Sequence, residues 1–241
     1  MKKPKKITIK FFLNEHIKPI DTPQGIAYPL YCQITYNRKN THIKCNYGGY
    51  YTSMESIQET QPKLLPFEEY IFRQMMDYEV GQHGELLDMK GLGTKYDRYS
   101  VSIHALFSHH LKARLQSETL QAQPQEFVEV LNYHKKTLSF QILLRAAEKL
   151  FDDLPGLLSP EFHEEITLYQ HYYELYKTTL DQAETDYGFP LIIDWVTGTH
   201  PRQLETLLQT RFDQEPELIK KMMTTIHRLV CTKLEIGLRL Q

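Results

Sequence analysis

Within Ile7 to Leu13, and again after Pro29 on both sides of Asn37-Arg38-Lys39-Asn40, side chains alternate in character one by one, whereas from Pro66 onward apolar residues recur every three or four positions. A side chain that changes face at each residue belongs to a half-buried strand; one that returns after 3.6 residues belongs to an amphipathic helix. The chain therefore reads as α+β, a small N-terminal three-stranded antiparallel sheet followed by a mainly α-helical bundle. A Ser/Thr/Gln-rich link after Gly48-Gly49 separates a module at residues 1–52 from a helical domain at 62–241. With 241 residues in all, the helical part can be one domain or two.

In the first strand Ile7, Ile9, Phe11 and Leu13 alternate with Thr8, Lys10 and Phe12. A second alternation begins after Pro29, and a third follows Asn37-Arg38-Lys39-Asn40, a hairpin tip because Asn tolerates left-handed backbone. A turn centred between Arg38 and Lys39 sets Leu30 opposite Tyr47, Cys32 opposite Cys45, Ile34 opposite Ile43 and Tyr36 opposite Thr41. The other face then pairs Tyr31 with Asn46, Gln33 with Lys44 and Thr35 with His42. Sliding the register by one residue would oppose apolar to polar at every rung, so the alternation decides which face turns inward. Cys32 and Cys45 become cross-strand neighbours and are read as small buried thiols. A zinc site needs four ligands, no C-x-x-C is present, and Cys231 is alone on a distant helix, so no metal is expected.

Charge is unevenly distributed. Residues 1–50 carry nine basic side chains against two acidic ones, a surplus of +7, and the rest carries nineteen against twenty-eight, or −9. Such a split marks a surface for nucleic acid or an acidic partner; the competing reading is a solvated Lys-rich terminus, since four lysines lie in the first six residues. The basic start is followed by a stretch broken at Asn14 and Glu15 rather than by a signal-peptide core, and no apolar run approaches the roughly 18 residues of a membrane span. A cytoplasmic protein with reduced thiols and no membrane contact is expected.

Two stretches, ITIKFFLNEH and YPLYCQITYNRKNTHIKCNYGGYYT, resemble the N-terminal arm-type DNA-binding domain of tyrosine recombinases (phage-integrase family) of the Bacteroidetes kind. The resemblance covers roughly residues 5–52, about a fifth of the chain. It implies that the sheet lays its polar face in the major groove of duplex DNA, a groove that admits a β-ribbon. Lys10, Phe12, Tyr31, Gln33, Thr35, His42 and Lys44 would face the bases, and Arg38 and Lys39 at the tip would meet phosphates. Gln33 departs from the resemblance, standing where an Arg is expected. The recombinase catalytic domain is not recognisable: its chemistry needs a Tyr nucleophile, phosphate-clamping Arg residues and a His-x-x-Arg motif, and none of the eleven His begins one.

The remainder is read as helices. Pro66 opens one that stops near Gly81 to Gly84, Thr94 caps one carrying Tyr96, Tyr99, Ile103, Leu106 and Leu111, and one after Pro124 runs to Leu150. Ser159-Pro160-Glu161 is a strong helix start. From it Phe162, Ile166, Tyr169, Tyr173, Tyr176, Leu180, Ala183 and Tyr187 recur at heptad spacing, and Leu168, Tyr172 and Leu175 widen that face enough to pack against several helices of the same chain. Leu191 to Val196 is a buried turn, Thr199 and Pro201 start another helix, and Pro216 opens the last. His110 falls on an apolar stripe as a core or interface histidine.

Phosphate-cradling glycine loops, H-E-x-x-H, E-x-x-H and G-x-S-x-G are all missing from the sequence. Catalytic residues and cofactors are therefore not expected, and an enzyme is disfavoured. The leading expectation is a non-catalytic DNA-binding or DNA-associated protein of integrase-like or mobile-element lineage, its sheet face toward duplex DNA. The alternative is a protein–protein interaction or scaffold module, binding another polypeptide or a second copy through the sheet face and the Tyr-rich helical bundle.

Overall fold

A computed structural model describes the backbone of residues 6–121, 124–134, 138–182 and 189–239, and side chains throughout these except 132–134, 178–182 and 235–239. It is α+β, with five strands where three are expected: β1 (Thr8–Leu13), β2 (Ile20–Thr22), β3 (Gly25–Tyr36), β4 (Lys39–Lys44) and β5 (Tyr50–Tyr51). All pair antiparallel with the twelve-residue β3. Leu30 donates its N–H to Gly49 O and accepts from Cys45 N at one edge of β3, while Pro29 O accepts from Asn14 N at the other. Neighbouring residues of a strand turn their polar groups to opposite edges. β1 and β2 thus lie along one side of β3 and β4 and β5 along the other, so the three expected strands are three rows whose outer members are each interrupted. Pro29 sits inside β3 rather than ahead of it, because its missing N–H falls just past the end of β1, opposite Asn14, whose carbonyl accepts from Ile17 N instead.

The β3–β4 turn is Asn37-Arg38, both residues left-handed with φ of 50° and 64°, the type I′ geometry that suits strand twist. Its centre lies one residue earlier than expected, which moves each partner by two. Cys32 faces Ile43 instead of Cys45, Ile34 faces Thr41 and Tyr36 faces Lys39. A displacement by two leaves every side chain on its own face, so Leu30, Cys32, Ile34, Tyr36, Ile43 and Cys45 are all buried. Both thiols are free, and burial pushes both upward in pKa.

Eleven helices follow among the described residues: α1 (Met54–Thr60), α2 (Leu64–His83), α3 (Leu92–Tyr99), α4 (Ile103–Glu118), α5 (Gln125–His134), α6 (Phe140–Leu150), α7 (Leu154–Leu157), α8 (Pro160–Gln182), α9 (Ile192–Val196), α10 (Thr199–Arg211) and α11 (Pro216–Arg239). Two expected helices are each split. The one placed after Thr94 starts instead at Leu92 and breaks at Ser100 to Ser102, where the Ser102 hydroxyl accepts from Ala105 N and caps α4. The one after Pro124 becomes α5 and α6, with Ser139 capping α6. In both a serine competes with the helical ladder for backbone groups. Ser159 caps α8 as read, accepting from Phe162 N at 3.3 Å.

The chain divides into two compact units, Met1–Val101 with Glu184–His200, and Ser102–Ala183 with Pro201–Gln241. The first unit packs α2 and α3 under the apolar face of the sheet. Phe72 stacks on Tyr96 with ring centroids 4.4 Å apart and lies 6.3 Å from Phe11. The short α9 returns to this unit, where Ile192 N donates to Val101 O at 2.9 Å and Tyr70 OH donates to Asp194 Oδ1 at 2.6 Å.

In the second unit, α8 buries Phe162, Ile166, Leu168, Tyr169, Tyr172, Leu175 and Tyr176. The side chains of Leu180, Ala183 and Tyr187 lie outside the described residues. α4 contacts α6, α8 and α11, so this broad aromatic face is the unit's own core. Ile166→Ala should cost about 2–5 kcal/mol by lost transfer energy and the cavity left behind. Urea unfolding would measure it, and a change under about 0.5 kcal/mol would place that face outside the core.

Candidate nucleic-acid interface

Antiparallel register puts directly opposed residues on the same face, and on the outward face of the sheet it produces four rungs. Thr8, Thr35 and Asn40 form one; Lys10, Gln33 and His42 the next; Phe12, Tyr31 and Lys44 the third; Pro29 and Tyr50 the last. Lys10, His42, Lys44, Asn40 and Tyr50 are exposed, Thr8, Phe12, Tyr31, Gln33 and Thr35 are half-buried, and Pro29 is buried. Seven of the nine candidate residues, Lys10, Phe12, Tyr31, Gln33, Thr35, His42 and Lys44, are thereby brought together. Arg38 is at the turn. Lys39 stands opposite Tyr36 and so belongs to the face that carries Ile34 and Cys32, exposed at the tip beyond the core.

Among the described residues no ion pair engages Lys10, Arg38, Lys39 or Lys44. Among the described acidic side chains of the first unit, Glu15 between β1 and β2 and Asp21 in β2 are exposed, and most of the others lie on its helices. Two sit beneath the sheet. Glu68, fully buried on α2, accepts from Tyr96 OH and from Tyr47 N at 3.0 Å. Burial raises its pKa, against the lowering effect of the hydrogen bonds from Tyr96 and from the Tyr47 and Gly48 backbone. Glu79 accepts from Tyr99 OH at 2.8 Å and pairs with Lys95.

The segment joining β4 to β5 is fastened by the same network. Tyr96 OH accepts from Asn46 N at 2.8 Å, Asn46 Nδ2 donates to Ser100 Oγ at 2.8 Å, and Tyr47 OH donates to Ser100 O at 2.6 Å. Gly48 completes it, since a Cβ there would come within 3.0 Å of the Leu30 side chain. Lys44 and Tyr50 flank this fixed segment, which brings the Lys44 ammonium 5.8 Å from the centre of the Tyr50 ring. No family model, curated protein or solved structure matches the chain.

The candidate set read from the sequence leaves out Thr8, Asn40 and Tyr50. Asn40 was assigned to a tip that ends one residue earlier, and Tyr50 lies beyond Gly48-Gly49, where the alternation stops. The available signal for Tyr50 was its proximity to a strand end, with no way to assign its face. Among the described residues no three His, Cys, Asp or Glu side chains gather as metal ligands. Nor is any helix long and apolar enough to cross a membrane.

Proposed function

We propose that the outward sheet face binds duplex DNA, as part of a non-catalytic DNA-associated protein whose N-terminal module is of the integrase arm type. The observation that carries this reading is a ladder of hydrogen-bonding side chains that includes Lys10 and Lys44, with Arg38 and Lys39 exposed at its tip. Gln matches the paired acceptor and donor of adenine in the major groove, Lys matches guanine, and Thr suits either. Cations at the rim attract phosphates whatever the sequence.

Arg38 lends independent support. An L-residue at φ 64° costs about 1–2 kcal/mol that glycine would avoid, and strain retained at an exposed tip is a sign of function. Arg38→Gly should therefore stabilise the protein by about 1 kcal/mol in thermal unfolding while weakening its hold on DNA.

The interaction-module alternative loses its second surface, because the Tyr-rich face of α8 is occupied by its own helices. Titration of labelled duplex DNA at several salt concentrations separates the two readings. DNA binding should fall steeply with salt, and Lys10→Ala or Lys44→Ala should each reduce the salt slope by about one unit. A change at Gln33 should instead alter sequence preference. Absence of duplex binding at low salt would remove the proposal.

A further inference from the structure

The outward face is chemically divided along β3. Its two rungs nearest the hairpin tip, Thr8-Thr35-Asn40 and Lys10-Gln33-His42, can all hydrogen-bond, but the next two are built around rings: Phe12, Tyr31 and Tyr50, with Lys44 among them. Phe12 is the anomaly. It occupies an outward position that alternation reserves for a polar side chain, and it carries no atom that can hydrogen-bond a base edge or hold a phosphate. Its ring is fixed by its neighbours, 6.1 Å from Tyr31 and 5.2 Å from His42 in an edge-on contact. Tyr50 keeps 36% of its surface exposed beside Lys44.

Aromatic side chains on a sheet surface, interleaved with cations, are what an unstacked nucleobase needs. Its π-face lies on a ring while the adjoining phosphate meets an ammonium group. Base pairs inside a duplex hide those faces and offer a ring little beyond the methyl group of thymine.

We propose that the Phe12, Tyr31 and Tyr50 end of the sheet stacks an unpaired base, so that the preferred ligand is a DNA duplex continuing into a single strand. Paired DNA lies on the polar rungs and the first unpaired nucleotide on the rings, with Lys44 at its phosphate. The inference rests on the DNA-binding reading above for the polar rungs and adds to it a second, chemically different subsite.

The test is fluorescence anisotropy at one fixed salt concentration with the full chain and four labelled probes. They are a blunt duplex, the same duplex with a short single-stranded extension at its 5′ or at its 3′ end, and the single strand alone. One of the extended duplexes should bind about tenfold tighter than the blunt one, within the range that stacking a base on an aromatic side chain provides. Tyr31→Leu, which keeps apolar bulk without a π-face, should abolish that gain, so that the variant binds the blunt and the extended duplexes equally. Tyr31→Phe should retain it, and matched thermal melting of both variants controls for folding. Equal affinity for blunt and extended duplexes overturns the stacking subsite and leaves the groove reading intact, as does a Tyr31→Leu variant that weakens both alike, the result expected if the rings touch thymine methyl groups. Tight single-strand binding with no duplex binding overturns the groove reading and retains the platform. Binding to no probe overturns both.

Discussion

Glu165→Ala should destabilise the second unit by about 3 kcal/mol, at the lower end of what breaking a buried ion pair costs. The Glu165 carboxylate on α8 is the meeting point of two guanidinium groups and the His110 imidazole. Oε2 accepts from His110 Nε2 at 2.9 Å and Arg114 Nη1 at 3.0 Å, both on α4, and Oε1 accepts from Arg228 Nη2 at 2.6 Å on α11. Burial alone would raise its pKa, but the His110 contact together with Arg228 and Arg114 reverses this and brings it down to about 2. Removing the carboxylate leaves positive charge concentrated among three helices. Arg114 retains Glu118 and Ser159, and Arg228 is half-exposed and can turn to water, which holds the loss below the largest values known for buried pairs. Urea unfolding followed by far-UV circular dichroism measures it. A loss under about 1 kcal/mol would mean that the cluster behaves as a surface network.

Acidification below pH 6.5 should destabilise the first unit through His200. This side chain is fully buried, and burial lowers its pKa from 6.5 to about 3. Between these values the unfolded chain binds a proton that the native state refuses, so stability is complete above pH 6.5 and declines as pH falls toward 3. At pH 4 the loss relative to pH 7 is on the order of 3 kcal/mol. Trp195, the single tryptophan of the chain, has its ring 5.6 Å from the imidazole, so its fluorescence reports the transition directly. His200→Gln should flatten the pH dependence of that signal from 6.5 down to about 4.5. In the second unit, burial, with Lys112 nearby, lowers His104 to about 4. Its contribution declines over the same range, and that of Glu165 follows between about 4.5 and 2.

What could be read from the sequence was whatever depends on parity or period. The inward face of the sheet is fixed by alternation, and slipping the hairpin by two residues cost no burial prediction, although it replaced Cys45 by Ile43 as the partner of Cys32. Partner identity depends on which two residues bear positive φ, and Asn37-Arg38-Lys39-Asn40 offers more than one choice. Helix termini marked by proline next to a serine, as at Ser159-Pro160, were legible. Those marked by Ser102 or Ser139 alone were not, since an apolar stripe continues across each break and only the hydroxyl's local hydrogen bond reveals it. The candidate site was legible where it lies on long strands. Tyr50 escaped because β5 is two residues long, too short to have a period.

The return of α9 to the first unit has a consequence for how the molecule comes into being. Val101 O waits for the amide of Ile192, and the Tyr70 hydroxyl for a carboxylate 124 positions away. A ribosome that has released residues 1–101 has therefore produced the entire sheet but not the piece that closes the layer beneath it, and must first deliver most of the second unit. Contacts of such sequence separation slow folding, because the loop entropy is lost before the contact forms. A fragment ending at Val101 would keep every outward rung of the sheet and still leave α2 and α3 without their last neighbour, so the smallest piece that assembles this surface in its native setting extends through His200.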